Sequence, residues 1–141
     1  MVVASMTIEE IYKEVMGDYE SLKRKSHAQA LILQGEMKRK NMQHETRMIL
    51  YKTPNFNEWN IMFDIYTYGI KKLYYLRTND KRGAVTYLIQ FFEGTEEKYI
   101  IKLNTHFFKR YNERLHLELT KPADVIKHFF KYNFESGLGE S

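Results

Sequence analysis

A run of strand-like segments, separated by short polar turns, fills the middle of the chain and constrains the fold more than any other feature. In the clearest segment, EWNIMFDIY, large apolar side chains occupy every second position: Trp59, Ile61, Phe63 and Ile65. A period of two is typical of a β-strand with one buried face. We therefore predict a sheet over residues 45–103.

The neighbouring segments extend this sheet. TRMILYK, IKKLYYLR, AVTYLIQFF and EKYIIKL are rich in β-branched and aromatic residues, which suit strands. Between the segments lie the turn sequences TPNFN, YG, TNDKRG and EGTE. Connections this short join antiparallel neighbours, because a parallel crossover needs about a dozen residues or more. The pattern predicts an antiparallel meander of four or five strands.

The N-terminal region has helical periodicity instead. Thr7 and Glu10 have the spacing of a capping box, and apolar residues recur behind them at intervals of three and four. We predict a helix that begins near residue 7 and reaches at least residue 25. Ser26 and Gln29 form a second capping-box pattern, so the helix either restarts there or runs on to Lys40.

Helical periodicity returns after the last strand. One helix is predicted over residues 105–116, and a second begins after Thr120-Lys121-Pro122, where the missing N–H of proline costs least. The chain is thus predicted to form one α+β domain, with both C-terminal helices packed on one face of the sheet. Its parts are helical over 7–40, sheet over 45–103, helical over 104–134 and a tail over 135–141.

Composition excludes several classes of site. The chain has no cysteine, so it has no disulfide, no thiolate metal site and no cysteine nucleophile. No apolar run approaches the roughly 20 residues of a membrane span, and the opening stretch MVVASMT is too short for the apolar region of a secretory signal, so we expect a cytoplasmic protein without a membrane partner. The five histidines lack the spacing of a zinc-binding helix, and we expect neither a metal nor a cofactor.

The net charge of +4 is spread along the chain. Lys and Arg outnumber Asp and Glu by nine to seven in residues 1–54, seven to six in 55–103 and six to five in 104–141. Nucleic-acid-binding proteins usually concentrate their charge in a patch. Lys81 and Arg82 form one local pair at a predicted hairpin tip, where they either contact nucleic acid or are simply solvated.

The candidate functional residues lie on the helix after the last strand. A helical wheel places four polar residues side by side: His106, Arg110, Glu113 and Arg114. The apolar stripe beside them consists of Phe107, Phe108, Tyr111 and Leu115. A side chain at the border of a buried stripe packs its stem while its head group stays at the surface. We call these four polar residues the α2 rim, where α2 denotes the helix predicted over residues 105–116.

The residue types of the α2 rim suit RNA cleavage. Histidine and a carboxylate can transfer protons, and the donor fork of arginine matches a phosphate. His106 and Glu113 would exchange protons with the 2′-hydroxyl and the leaving oxygen, while Arg110 and Arg114 would stabilise the charged phosphorane. The alternative is structural, because neighbours at i, i+3 and i, i+4 also form ordinary surface contacts of a helix.

A strand leading into NTHFFKRYNERL, followed by a helix that opens KPADVIK, resembles small bacterial domains related to RelE-type toxins. The stretch is also similar to the broader barnase/EndoU/colicin/RelE ribonuclease-like group. Some of those domains carry a His-x3-Arg-x3-Arg helix beside an antiparallel sheet, and the match covers residues 99–133. The resemblance implies RNA cleavage or ribosome-associated binding, with His106, Arg110 and Arg114 as site residues and an antitoxin as a protein partner.

A non-enzymatic interaction or assembly module is the alternative function, with the α2 rim serving only the helix. Tyr74 and Tyr75 are adjacent in a predicted strand, so their side chains point to opposite faces of the sheet. One of them is expected on a face that the helices leave open. Such a face would serve as an interaction surface or as the interface of a homo-oligomer.

Overall fold

The computed structural model describes residues 1–3, 5–80, 83–91 and 98–133. Within these residues the elements are, in chain order, α1 (Ile8–Arg39), β1 (His44–Lys52), β2 (Glu58–Tyr66), β3 (Gly69–Asp80), β4 (Gly83–Phe91), β5 (Lys98–Asn104), α2 (Thr105–Arg114) and α3 (Pro122–Tyr132). The strands form one antiparallel sheet in the order β1-β2-β3-β4-β5. The predicted α+β architecture and the meander are confirmed.

The N-terminal helix does not restart at Ser26; it runs unbroken for 32 residues. Its predicted capping box is formed, since the Thr7 hydroxyl accepts from the Glu10 N–H at 3.2 Å and the Glu10 carboxylate accepts from the Thr7 N–H at 3.3 Å. Ser26 is buried mid-helix, where its hydroxyl donates to the Lys23 carbonyl and bonds the Tyr74 hydroxyl at 2.6 Å. A tertiary contact thus uses the residue that resembled a cap.

The helix ends where the backbone turns left-handed. Asn41 has φ of 56°, a conformation that asparagine tolerates better than most residues. Its N–H donates to the Lys38 carbonyl and the Met42 N–H donates to the Met37 carbonyl, both at 3.1 Å. These two bonds form a Schellman motif, which satisfies carbonyls left free at the end of α1.

The sheet lies between two helical layers. Strand positions alternate between the layers, and the first core joins α1 to one face through Val15, Leu22, Leu33, Trp59, Ile61, Phe63 and Ile65. The second core joins α2 and α3 to the opposite face through Met62, Leu73, Tyr75, Leu88, Phe108, Phe129 and Phe130. Both C-terminal helices therefore share one face, as predicted.

Neither face of the sheet is open at Tyr74 and Tyr75, where we expected one of the two side chains to be exposed. The two side chains do point to opposite faces, but each is only 3 % exposed. Tyr74 packs in the core under α1, and Tyr75 packs in the core under α3. The expectation of an exposed aromatic at this position was wrong, because helices cover both faces.

None of the described helices is long and apolar enough to cross a bilayer.

A buried carboxylate connects α1 to the β1–β2 connection. Asp18 is 1 % exposed, and its two oxygens accept from Asn55 at 3.0 Å, Asn57 at 2.7 Å and the Trp59 indole N–H at 2.8 Å. The Asn57 side chain also accepts from the Val2 N–H at 2.8 Å. A buried charge needs such donors to replace its lost hydration. The network therefore determines how α1 sits on the sheet.

We expect Asp18→Ala to lower the free energy of unfolding by about 3 kcal/mol or more, because it leaves buried donors of Asn57 and Trp59 without an acceptor. Urea denaturation followed by the fluorescence of Trp59, the single tryptophan, measures the loss. Glu20→Ala, at an exposed position of the same helix, is the control and should change stability by less than about 0.5 kcal/mol. Equal effects of the two substitutions would contradict the structural role of Asp18.

Tyr75 gives the second core a measurable pH dependence. Its ring stacks on Phe130 at 4.5 Å between centroids, and its hydroxyl donates to the Met48 sulfur at 3.3 Å. Burial raises the pKa of Tyr75 to about 12. The ordinary value in an unfolded chain is about 10, so the folded state holds this proton more tightly.

Proton linkage determines the direction in which pH changes the free energy of unfolding. The stabilising effect of the raised pKa of Tyr75 is fully present below about pH 10 and is lost as the pH rises to about 12. Two pH units correspond to about 2–3 kcal/mol. We expect Tyr75→Phe to flatten the fall in unfolding free energy between pH 10 and 12, measured by urea denaturation. An unchanged slope in the variant would contradict the assignment.

Candidate functional site

Two side-chain hydrogen bonds position the start of helix α2, one to its own backbone and one to the sheet. The side chain of Asn104 caps it by accepting from the Phe107 N–H at 2.9 Å. The Thr105 hydroxyl donates to the Ala84 carbonyl of β4 at 2.7 Å. The helix ends at Arg114, with Leu115 as its C-cap, two residues before the predicted end at residue 116.

Aromatic packing anchors the apolar stripe of α2. Phe108 is buried and forms edge-to-face contacts with Phe107 and Phe129, with centroids 5.2 and 5.7 Å apart. Tyr111 contacts Phe129 in the same way at 5.1 Å. Leu115, which the wheel placed on the buried stripe, is instead 52 % exposed. The helix has ended by that residue, so the 100° rule no longer directs its side chain.

All four residues of the α2 rim are exposed. Among the described residues, none of the four side chains forms a hydrogen bond or a salt bridge: His106, Arg110, Glu113 and Arg114. The pairs at i, i+3 and i, i+4 that the structural alternative requires are therefore not made in this conformation. The head groups are available to a ligand.

Two residues of the α2 rim border a concave surface. Arg110 and Arg114 line a hollow of about 270 Å³ together with Phe107, Tyr111 and Leu115. We call this surface the arginine hollow. His106 and Glu113 do not line it. These two residues are seven positions apart in the helix, which places their backbones about 10 Å apart along the axis.

The wall of the arginine hollow is fixed by a contact between helices. The Tyr111 hydroxyl and Nδ1 of His128 on α3 are hydrogen-bonded at 2.8 Å. Burial raises the pKa of Tyr111, and the ring of His128 lies against the ring of Tyr132 at 4.5 Å. An uncharged phenol, held by α3, therefore lines the hollow together with the two guanidinium groups.

The remaining predicted nucleic-acid contacts, Lys81 and Arg82, lie outside the described residues. Across the ranges that the structure covers, no cluster of three or more His, Asp or Glu side chains is arranged to hold a metal ion.

The structure brings together a cluster of titratable residues that the sequence pattern did not indicate. The His44 imidazole lies 2.5 Å from the Asp64 carboxylate, which also accepts from the Thr46 hydroxyl at 3.3 Å. A hydrogen bond to Asp64 raises the pKa of Tyr66, whose ring stacks on His44 at 4.4 Å. Only strand register unites these residues, since Thr46 pairs directly with Asp64 and His44 with Tyr66.

Comparison of the chain with models of known protein families, with curated proteins and with solved structures gave no match. The resemblance to RelE-type toxins stays a prediction based on the residues of α2.

The exposure of the α2 rim has a direct consequence for stability. We expect Arg110→Ala and Arg114→Ala each to change the free energy of unfolding by less than about 0.5 kcal/mol, because neither guanidinium has a partner to lose in the part of the chain that the structure describes. Phe108→Ala, on the buried stripe of the same helix, should cost about 3–5 kcal/mol. Thermal or urea denaturation measures both. A loss above 1 kcal/mol for either arginine variant would show that the rim is structural.

Proposed function

We propose that this chain binds RNA, or another phosphate-bearing ligand, in the arginine hollow. The observation that carries the proposal is the pair of exposed guanidinium groups of Arg110 and Arg114 on an aromatic wall, neither of which has a partner among the described residues. An arginine fork matches the oxygens of a phosphate, and it keeps its charge at any working pH. The rings of Phe107 and Tyr111 add surface on which an unpaired base can stack.

Binding is better supported than cleavage. His106 and Glu113 stand about two helical turns apart and outside the hollow, whereas an acid and a base must act on the same phosphodiester. Toxin-like ribonuclease activity is the finer form of the proposal. In that form His106 transfers the proton, Arg110 and Arg114 stabilise the phosphorane, and Glu113 is the second proton-transfer group.

The small number of contacts determines how the binding depends on salt. Two arginines neutralise two phosphates, and on a single strand each neutralised phosphate contributes about −0.7 to the slope. A plot of log affinity against log salt should therefore have a slope near −1.4 for single-stranded RNA. A much steeper slope would place the binding surface elsewhere.

We expect the double variant Arg110→Ala/Arg114→Ala to weaken binding of fluorescein-labelled single-stranded RNA by about tenfold or more, measured by fluorescence anisotropy. The matched control is Arg24→Ala/Arg39→Ala, which removes the same charge from exposed positions on α1, on the opposite side of the sheet. The control should retain the affinity of the parent. Equal losses in both variants would indicate non-specific attraction by net charge and contradict the proposal.

The cleavage form is tested separately with the same RNA on a denaturing gel. If His106 transfers the proton, His106→Ala should abolish cleavage and leave the affinity within about twofold, because the residue lies outside the hollow. Intact RNA after incubation with the parent chain would remove the ribonuclease form and leave binding as the function.

A non-enzymatic protein-interaction module is the second candidate, and exposed large side chains at the arginine hollow and on α3 favour it. Leu115 is 52 % exposed at the hollow, and Tyr132 on α3 is 64 % exposed. Tyrosine and arginine are enriched at the centres of protein interfaces. Under this candidate Leu115→Glu would dissociate a homo-oligomer, measured by light scattering, or release a protein partner, and RNA affinity would be absent in the parent.

A further inference from the structure

A second concave site lies on the other border of α2. It is a cavity of about 220 Å³ between α2, the start of α3, and strands β3 and β4. Its walls are mainly apolar and include Phe108, Val125 and Ile126, which are all at most 5 % exposed. Arg110 and Arg114 do not line this cavity, so it is distinct from the arginine hollow.

The polar groups of the cavity are arranged for an anion. Arg77 and Thr86 are direct cross-strand partners on β3 and β4, and both line the cavity. Lys109 reaches it from α2. The side chains of Arg77 and Lys109 are exposed and have no hydrogen bond or ion pair with any described residue, and no carboxylate lines the cavity. Two cations thus face a space that holds no neutralising group among its described lining.

The hydroxyl of Thr86 strengthens this assignment. The residue is 2 % exposed, yet within the described ranges its side chain has no hydrogen-bond partner. Every described side-chain N or O atom that is fully sealed from solvent does have a partner. The Thr86 hydroxyl therefore opens into the cavity, where it is ready to donate to whatever occupies that space.

The cavity is held in shape by hydrogen bonds in its own walls. The Asn112 side chain donates to the Leu119 carbonyl at 2.9 Å and accepts from the Leu119 N–H at 3.3 Å. The bond from Thr105 to the Ala84 carbonyl joins α2 to β4 on the sheet side. A site that is already formed spares a ligand the cost of ordering it.

The volume limits the size of the ligand. A cavity of about 150 Å³ accommodates benzene, and ligand pockets for larger molecules begin at about 300 Å³. At about 220 Å³, this one suits a single ring or a branched chain with one small polar group. A nucleotide is too large for it.

We propose that this cavity binds a small organic acid, a carboxylate on an apolar body the size of one aromatic ring. The carboxylate accepts from the guanidinium of Arg77 and the hydroxyl of Thr86, with the ammonium of Lys109 at the mouth. The ring packs against Phe108, Val125 and Ile126. The site is separate from the arginine hollow, so this proposal stands or fails independently of RNA binding.

Phenylacetate is the probe. Comparing its affinity with those of phenylacetamide and acetate separates the contribution of the ligand's charge from that of its ring. Two-dimensional amide NMR on the full chain should show saturable shifts at residues around the cavity with phenylacetate, at a Kd of about 1 mM or tighter. The uncharged amide should bind about tenfold more weakly, and so should acetate, which lacks the ring. Arg77→Ala should remove the preference for the acid over the amide.

Thr86→Val distinguishes a binding role from a structural one, because a purely structural role would not change the affinity for phenylacetate independently of the melting temperature. It should weaken phenylacetate binding about threefold or more while the melting temperature stays unchanged or rises, because no internal hydrogen bond is lost. The matched control is Thr53→Val. Thr53 is equally buried but exchanges hydrogen bonds with the backbone of Asn57, so its loss should lower the melting temperature and leave phenylacetate binding unchanged.

Two outcomes would overturn the proposal. The first is the absence of saturable shifts around the cavity at phenylacetate concentrations up to about 20 mM, well above the expected Kd. The second is equal binding of acid and amide, or an equal effect of Arg77→Ala on both. That outcome would show an apolar cavity without anion recognition.

Discussion

Two-sided burial of the sheet is the constraint on which the rest of the structure depends. Successive side chains of a strand point to opposite faces, so every buried strand here must supply two cores at once. Tyr74 and Tyr75 show the consequence, since one packs under α1 and the other under α3. The carboxylate of Asp18 then fixes α1 on its face through donors from the β1–β2 connection and β2. With α1 in place, the opposite face is left to α2 and α3, where both candidate sites lie.

Helix α2 separates two sites of different character. Its buried stripe, centred on Phe108, packs against α3 and the sheet. One border of that stripe carries the arginine hollow, a shallow surface with two guanidinium groups, which suits an extended polyanion. The other border closes a smaller apolar cavity with Arg77 and Thr86, which suits a compact anion. Both sites depend on α2, because residues on its two borders line two different concave surfaces.

Sequence periodicity predicted the elements well and the sites only in part. Alternation in β2 and the short turns were sufficient for the antiparallel meander. The capping box at Thr7 identified the start of α1, but a similar pattern at Ser26 was misleading because its hydroxyl bonds Tyr74 across the core. The wheel for α2 correctly placed the α2 rim at the surface. It failed at Leu115, where the helix had already ended and its geometry no longer applied.

The sequence by itself determined the order and type of the elements, since periods of two and 3.6 are local properties of a chain. It also determined that His106, Arg110, Glu113 and Arg114 share one side of a helix. Only the tertiary structure decided which of them borders a hollow, and that Arg77 meets Thr86 or His44 meets Asp64. Those meetings depend on strand register and helix docking, which bring together residues far apart in the chain and leave no periodic signal in it.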